Sequence, residues 1–231
     1  MSESKINPEK VVFGAGAKTA EEVNTLINKS AQEGITQAEV DDIYKQWAKT
    51  YDQDTLLNSY SSTKPLAAAR VLAEYIEDKS APVLDLAAGT GIVGVELKEL
   101  GFTNIDALDA SQAMLDQATE KNVYKRLICD YMGPNTLDIK DNTYSGAVAT
   151  GCFGEGHAKQ DCFLEIIRVI KPGGTLVFQI TNAKVSSTCL IGFDDTLNTH
   201  EDNNLWTLIK KELVSSSVGT GDYLRFVYRI K

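Results

Sequence analysis

The 231-residue sequence predicts an α/β fold in which helices wrap both faces of a doubly wound, mostly parallel sheet. Three observations carry this expectation. From residue 82 onward, short apolar runs alternate with segments of helical periodicity. One of those runs, Val83–Leu86, opens into a glycine-containing turn and then a helix. Near the end, Val214–Val218 and Tyr223–Ile230 are separated only by the turn-rich Gly219-Thr220-Gly221-Asp222. Strands joined that closely pair antiparallel, because a parallel crossover needs a dozen or more residues.

The elements follow in order. Residues 1–18 are expected to be loosely ordered. Glu21–Lys29 places Val23, Leu26 and Ile27 at helical spacing. Thr36–Lys49 begins with a capping threonine and has Glu39 three residues on, a capping-box pattern, with Ile43 and Trp47 as its apolar stripe. Tyr51–Tyr60 reads as a polar loop, and Lys64–Glu77 as a helix buried through Leu66, Ala69, Leu72 and Ile76. Strands are expected at Pro82–Leu86, Asn104–Asp109, Arg126–Asp130, Ser145–Gly151 and Gly174–Thr181. Helices Gly91–Leu100, Ser111–Lys121 and Gln160–Ile170 fall between them. Lys171-Pro172-Gly173-Gly174 predicts a tight turn into the fifth strand. Asn203–Leu213 reads as a helix through Leu205, Leu208 and Ile209, before the closing pair completes seven strands. The organisation expected is an N-terminal helical cap over residues 1–60 and one α/β domain over 61–231.

Composition narrows the function. A formal net charge of -9 argues against long nucleic acids, whose phosphates need Lys and Arg. The four cysteines form no C-x-x-C pair, and neither His157 nor His200 completes a zinc spacing, so no metal is expected. No apolar run approaches the ~20 residues of a membrane span. Met1–Lys10 is polar and lacks an apolar core. A cytoplasmic or nucleocytoplasmic setting is the expectation, with no membrane partner.

The chemistry concentrates in Val83-Leu84-Asp85-Leu86-Ala87-Ala88-Gly89-Thr90-Gly91. Glycine at 89 and 91 lets the chain turn sharply and a ligand approach the backbone. A helix N-terminus beyond it suits a carboxylate. A dinucleotide site expects G-x-G-x-x-G and room for a pyrophosphate. Here an acid, Asp85, precedes the turn; it would repel a pyrophosphate and attract the ammonium of a methionine moiety. A second acid, Asp109, ends the next strand, where a carboxylate accepts from ribose hydroxyls.

This turn resembles motif I of the class I S-adenosylmethionine-dependent methyltransferases. The resemblance continues through Asp109-Ala110-Ser111-x-x-Met114-Leu115, Cys129-Asp130-Tyr131 and Lys171-Pro172-Gly173-Gly174. Tyr44-x-x-Trp47-Ala48-x-x-Tyr51-Asp52 and Gly156-His157 are similar to the Williams–Beuren-region methyltransferase-like group. It implies a Rossmann-like fold, S-adenosylmethionine as cofactor, S-adenosylhomocysteine as product and a small-molecule methyl acceptor. It further implies that Asp85, Ala87, Ala88, Gly89 and Gly91 hold the methionine end and Asp109 the ribose. Ala110 and Met114 pack on adenine, Cys129, Asp130 and Tyr131 surround its amino edge, and Thr150 lies beneath the sulfonium. Two departures are visible. Ala87 replaces a glycine, which is tolerable if its φ stays negative, and Ser145 stands where the fourth strand often starts with Asp.

Tyr51 is the expected cofactor contact of the aromatic N-terminal segment. Tyr60, Phe153 and His157 are expected in the acceptor pocket, with His157 the candidate catalytic base. The alternatives are that His157 orients its loop, and that Tyr44 and Trp47 only pack a helix onto the sheet.

Overall fold

The computed structural model describes residues 18–57, 63–181, 190–215 and 222–231. Three helices come first: α1 (Ala20–Ser30), α2 (Gln37–Trp47) and α3 (Tyr51–Leu57). The capping box expected at α2 is present. Glu39 N–H donates to Thr36 Oγ1 and Thr36 N–H donates to Glu39 Oε2. Thr19 and Glu22 do the same for α1. The segment expected as a polar loop from Tyr51 to Tyr60 is instead helical over Tyr51–Leu57. Its turn is held by Thr55 Oγ1 on the Tyr51 carbonyl and by the Asp54 N–H on Thr50, bonds that its scattered apolar residues do not announce.

After α4 (Thr63–Tyr75) the alternation begins: β1 (Val83–Leu86), α5 (Ile92–Glu99), β2 (Ile105–Asp109), α6 (Gln112–Glu120), β3 (Arg126–Cys129) and β4 (Tyr144–Thr150). A 3₁₀ turn at Gln160–Cys162 leads into α7 (Phe163–Val169), then β5 (Ile170–Thr181), α8 (Phe193–Asp202), β6 (Trp206–Val214) and β7 (Tyr223–Ile230). The sheet order is β3-β2-β1-β4-β5-β7-β6. The first five are parallel, and β7 is antiparallel to both β5 and β6. The seven-stranded, mostly parallel sheet with an antiparallel end is the predicted one.

Two details of the C-terminal part differ. Asn203–Leu213 is not a helix: Trp206–Val214 is strand β6, and the helix lies earlier, at Phe193–Asp202. Leu205, Leu208 and Ile209 stand at helical spacing, but pairing along β7, with a bulge between Leu208 and Lys210, decides the outcome and leaves Ile209 exposed. Gly192, at φ +79°, starts α8 in the left-handed region. The expected strand Val214–Val218 contributes only Val214 to β6, and most of the rest lies outside the described residues. Lys171–Gly174, expected as a turn before the fifth strand, instead falls within β5 as a bulge between two pairings to β4, with Gly173 at φ +79°.

The sheet is buried on both faces, as parallel sheets require. All four residues of β1 are buried. Val148, Val177 and Val227 face α4 and α5. The opposite face holds an aromatic stack of Phe163, Phe178, Phe193, Phe226 and Tyr228 with Trp206. His200 is 9% exposed and packs edge-on against Trp206, 5.3 Å between centroids, so it has a core role. No helix among the described residues is long and apolar enough to cross a membrane.

Candidate active site

A cavity of about 820 Å³ opens at the carboxyl ends of β1, β2, β4 and β5, roofed by α1–α3. Open α/β sheets bind ligands at that end, and the volume falls in the upper part of the range for small-molecule sites, about 300–1,000 Å³.

Its floor is the turn after β1. Ala87, Gly89 and Gly91 have φ of +53°, +55° and +90°, so every second residue is left-handed. This corrects the expected negative φ at Ala87. The turn must bring Ala88 N–H onto the Leu108 carbonyl and Gly91 N–H onto the Ala88 carbonyl, and an alanine in that place carries the strain, roughly 1–2 kcal/mol. A Cβ on Gly89 would meet nothing within 4 Å, so the backbone there borders open space.

The two acids divide their work. Asp109 lines the cavity, and its carboxylate shapes the floor: Oδ2 accepts from Gly89 N–H and Oδ1 from Ser111 N–H, both at 2.8 Å. Burial raises its pKa against those two bonds. Each oxygen keeps a second lone pair for a ligand hydroxyl. Asp85 is 2% exposed and does not line the cavity. It accepts from Tyr124 Oη at 2.6 Å. Burial pushes its carboxyl up to about 7, with the Tyr124 bond opposing. It braces the turn from below instead of facing a ligand ammonium. Gly91 and Cys129 do not line the cavity either: Gly91 packs on Tyr124, and Cys129 is exposed with Sγ 3.5 Å from the Ala110 carbonyl.

The remaining predicted cofactor residues, Tyr51, Ala87, Ala88, Gly89, Ala110, Met114, Asp130, Tyr131 and Thr150, all border the cavity. Asp130 takes Tyr131 N–H and Asn135 Nδ2–H on Oδ1, leaving Oδ2 to accept. Of the acceptor residues, Phe153 and His157 border it, although Phe153 is 2% exposed and its ring packs on Phe163, Phe178 and Phe193. Tyr60 lies outside the described residues.

The roof is aromatic and tied at three points. Tyr44 stacks on Trp47, Tyr51 meets Trp47 edge-on and Tyr44 at a tilt, and all three border the cavity. Trp47 Nε1–H donates to the fully buried Asp54, 2.9 Å away. Burial pushes the Asp54 carboxyl up, but bonds from Lys18, Thr50 and Trp47 outweigh it and hold the pKa below the usual carboxylate range. Across the cavity, Tyr131 Oη donates to Asp41 at 2.7 Å, Tyr44 Oη meets His157 Nε2 at 2.7 Å, and Asp52 binds Thr90 and Lys121. Tyr44 and Trp47 thus do more than pack a helix.

Sequence reasoning missed Tyr124, Thr90, Lys121, Asp41, Asn135 and, on the far wall, Gln179 and Tyr223. One signal existed for Tyr124. Gly94 sits inside a helix, where glycine is costly without a packing reason, and Tyr124 Oη occupies the place of its missing Cβ. The others are ordinary polar residues whose partners are distant in sequence.

Fold and turn together are similar to those of the class I S-adenosylmethionine-dependent methyltransferases, the class the turn resembled. Residues 83–174 match the family model described as a methyltransferase domain. Methyltransferase-like protein 27 of Homo sapiens is 29% identical over 71% of this chain and 66% of its own length. Demethylmenaquinone methyltransferase of Corynebacterium efficiens is 37% identical over 41% of this chain and 39% of its own length. The chain thus spans just under two thirds, or less, of these curated relatives. A solved S-adenosylmethionine-dependent methyltransferase from Thermotoga maritima, described as a possible histamine N-methyltransferase, shares the fold with a TM-score of 0.57 at 16% identity, covering 81% of this chain and 98% of that one.

Proposed function

We infer that this chain transfers a methyl group from S-adenosylmethionine to a small-molecule acceptor held between the aromatic roof and the sheet. The observation that carries this reading is the single roofed cavity, in which the cofactor turn and the pocket beyond β4 are continuous. The residues present fit the cofactor: the left-handed turn leaves open space over Gly89, and Asp109 and Asp130 offer carboxylate oxygens along one wall.

When bound, the cofactor supplies a methyl group already activated on a sulfonium, so the protein's work is alignment and exclusion of water. The Ala87–Thr90 backbone would hold the methionine end and Asp109 the ribose hydroxyls. Ala110 and Met114 would flank adenine, and Asp130 would accept from its amino group. Met114 is placed by Ser111, which caps α6 on the Met114 N–H. Tyr44, Trp47 and Tyr51 present ring faces, which suit a cationic group and exclude water. Phe153, Cys152 and His157 close the acceptor side.

Calorimetry with S-adenosylhomocysteine, S-adenosylmethionine and NAD tests the cofactor: binding of the first two and not of NAD is expected, and the reverse sinks the reading. Incubation of whole-cell extract with a radiolabelled cofactor tests the acceptor. Label is expected in small molecules; label confined to protein bands would assign a protein side chain instead.

A further inference from the structure

Tyr44 and His157 are 113 positions apart in the sequence and meet end to end. Tyr44 Oη lies 2.7 Å from His157 Nε2, and His157 Nδ1 lies 2.7 Å from the Glu155 carbonyl oxygen. A carbonyl only accepts, so Nδ1 carries a hydrogen and donates it. In the neutral ring Nε2 then bears the lone pair, and the Tyr44 hydroxyl donates to it. The rings meet edge to face at 5.7 Å, which fixes the imidazole plane. The loop is pinned as well: a Cβ on Gly156, at φ +68°, would fall 2.8 Å from the Ser30 carbonyl and from Val40. Both Tyr44 and His157 border the cavity, as does Cys152 at the end of β4.

A hydroxyl that gives its hydrogen to Nε2 can still receive one, because its oxygen has two lone pairs. Burial pushes the Tyr44 hydroxyl up to about 12, against a hydrogen bond with Ser30. It therefore stays protonated at neutral pH, and the imidazole behind it is the basic group.

Resting on the methyl-transfer reading above, we propose that Tyr44 and His157 form a proton relay. It selects acceptors whose nucleophilic atom carries a proton at neutral pH, a hydroxyl or an ammonium. The nucleophile's hydrogen passes to Tyr44 Oη as the Tyr44 hydrogen passes to His157 Nε2. The electron pair of the broken bond to hydrogen stays on the nucleophile. A lone pair of that atom forms the bond to the methyl carbon, and the carbon–sulfur bond breaks with its pair left on sulfur. The imidazolium keeps its Nδ1–H bond to Glu155 and loses the extra proton to solvent after product departs. Tyr44 touches the acceptor; His157 acts through it. For a thiolate or carboxylate, already unprotonated, the relay has nothing to move.

Two measurements test the relay. The chain has two histidines, His157 and His200, so nitrogen-15 spectra of the labelled protein are assigned with one His200→Gln variant. The Nδ1–H tautomer is expected for His157. Tyr44→Phe, which keeps the ring, should shift the His157 Nε2 resonance. Next, the protein is incubated with trideuteromethyl cofactor and the small-molecule fraction of a cell extract, and labelled products are identified by mass spectrometry. The label is expected on an oxygen or nitrogen that carries a proton at neutral pH. With that acceptor, Tyr44→Phe and His157→Gln should each lower kcat about 10²-fold with KM unchanged. An Nε2–H tautomer, a labelled thioether or carboxylate ester, or an unaltered kcat in Tyr44→Phe overturns the relay. Absence of any labelled product while S-adenosylhomocysteine binds overturns methyl transfer to a small molecule and the relay with it.

Discussion

Lys121, at the end of α6, reaches Asp52 on α3 with Nζ 2.7 Å from Oδ2, and the same ammonium donates to the carbonyl of Thr90 in the turn after β1. Asp52 completes the circuit by accepting from the Thr90 hydroxyl. One ion pair therefore joins roof, turn and α6. Both side chains are partly exposed, so the pair itself contributes only about 1 kcal/mol. Asp52→Ala is expected to weaken S-adenosylhomocysteine binding about fivefold by calorimetry, with the fold intact by circular dichroism. Unchanged affinity would mean the link is incidental to the cofactor.

Ala87 gives a test of sign. In a left-handed conformation, glycine removes steric strain and adds unfolded-state entropy of similar size. Ala87→Gly should therefore change unfolding free energy by less than about 1 kcal/mol. Ala87→Val should destabilise by about 2 kcal/mol or more, since branched residues resist positive φ. Denaturant titration of the two variants decides. A tolerated valine with a damaging glycine would indicate negative φ.

Gly94→Ala would be stabilising in an open helix by up to about 1 kcal/mol. Here the added carbon would fall 2.2 Å from Tyr124 Oη. The expected outcome is a loss of about 1–3 kcal/mol from overpacking, with part of it recovered when Tyr124→Ala is combined with it. Additive losses in the double variant would show that the two sites do not share this contact.

Asp85 predicts a pH dependence. Burial raises its folded pKa to about 7 from 3.8. Between those values the native state binds more protons than the unfolded one, so stability falls as pH rises. The whole movement corresponds to roughly 4 kcal/mol. Asp85→Asn keeps an acceptor for Tyr124 and removes the charge. The unliganded variant should lose much of the decline in stability between pH 4 and pH 7 seen in the parent. Parallel stability curves for the two proteins would show that Asp85 does not titrate in this window.

Much of the fold was legible because the physics was local. The Thr36–Glu39 box, the apolar β1 and the left-handed glycines of the turn after it each declare themselves within a few residues. The misread helix at 203–213 failed for the opposite reason: its state is settled by pairing with β7, a partner absent from any short window. The site divides the same way. Asp109 and the glycine turn were readable from spacing, while Asp85 was assigned to the ligand although burial and Tyr124 claim it. Asp41, Lys121 and Tyr124 escaped notice because each acquires its role from a residue 31 to 90 positions away.

The three ties across the cavity also say what keeps the roof in register. Each ends in a side chain of the roof: Asp41, Tyr44 and Asp52. Their partners Tyr131, His157 and Thr90 sit on three different loops, after β3, after β4 and after β1. The roof is therefore a gauge of the whole carboxyl edge of the sheet: a shift in any one of these loops is felt at a different helix position above the cavity.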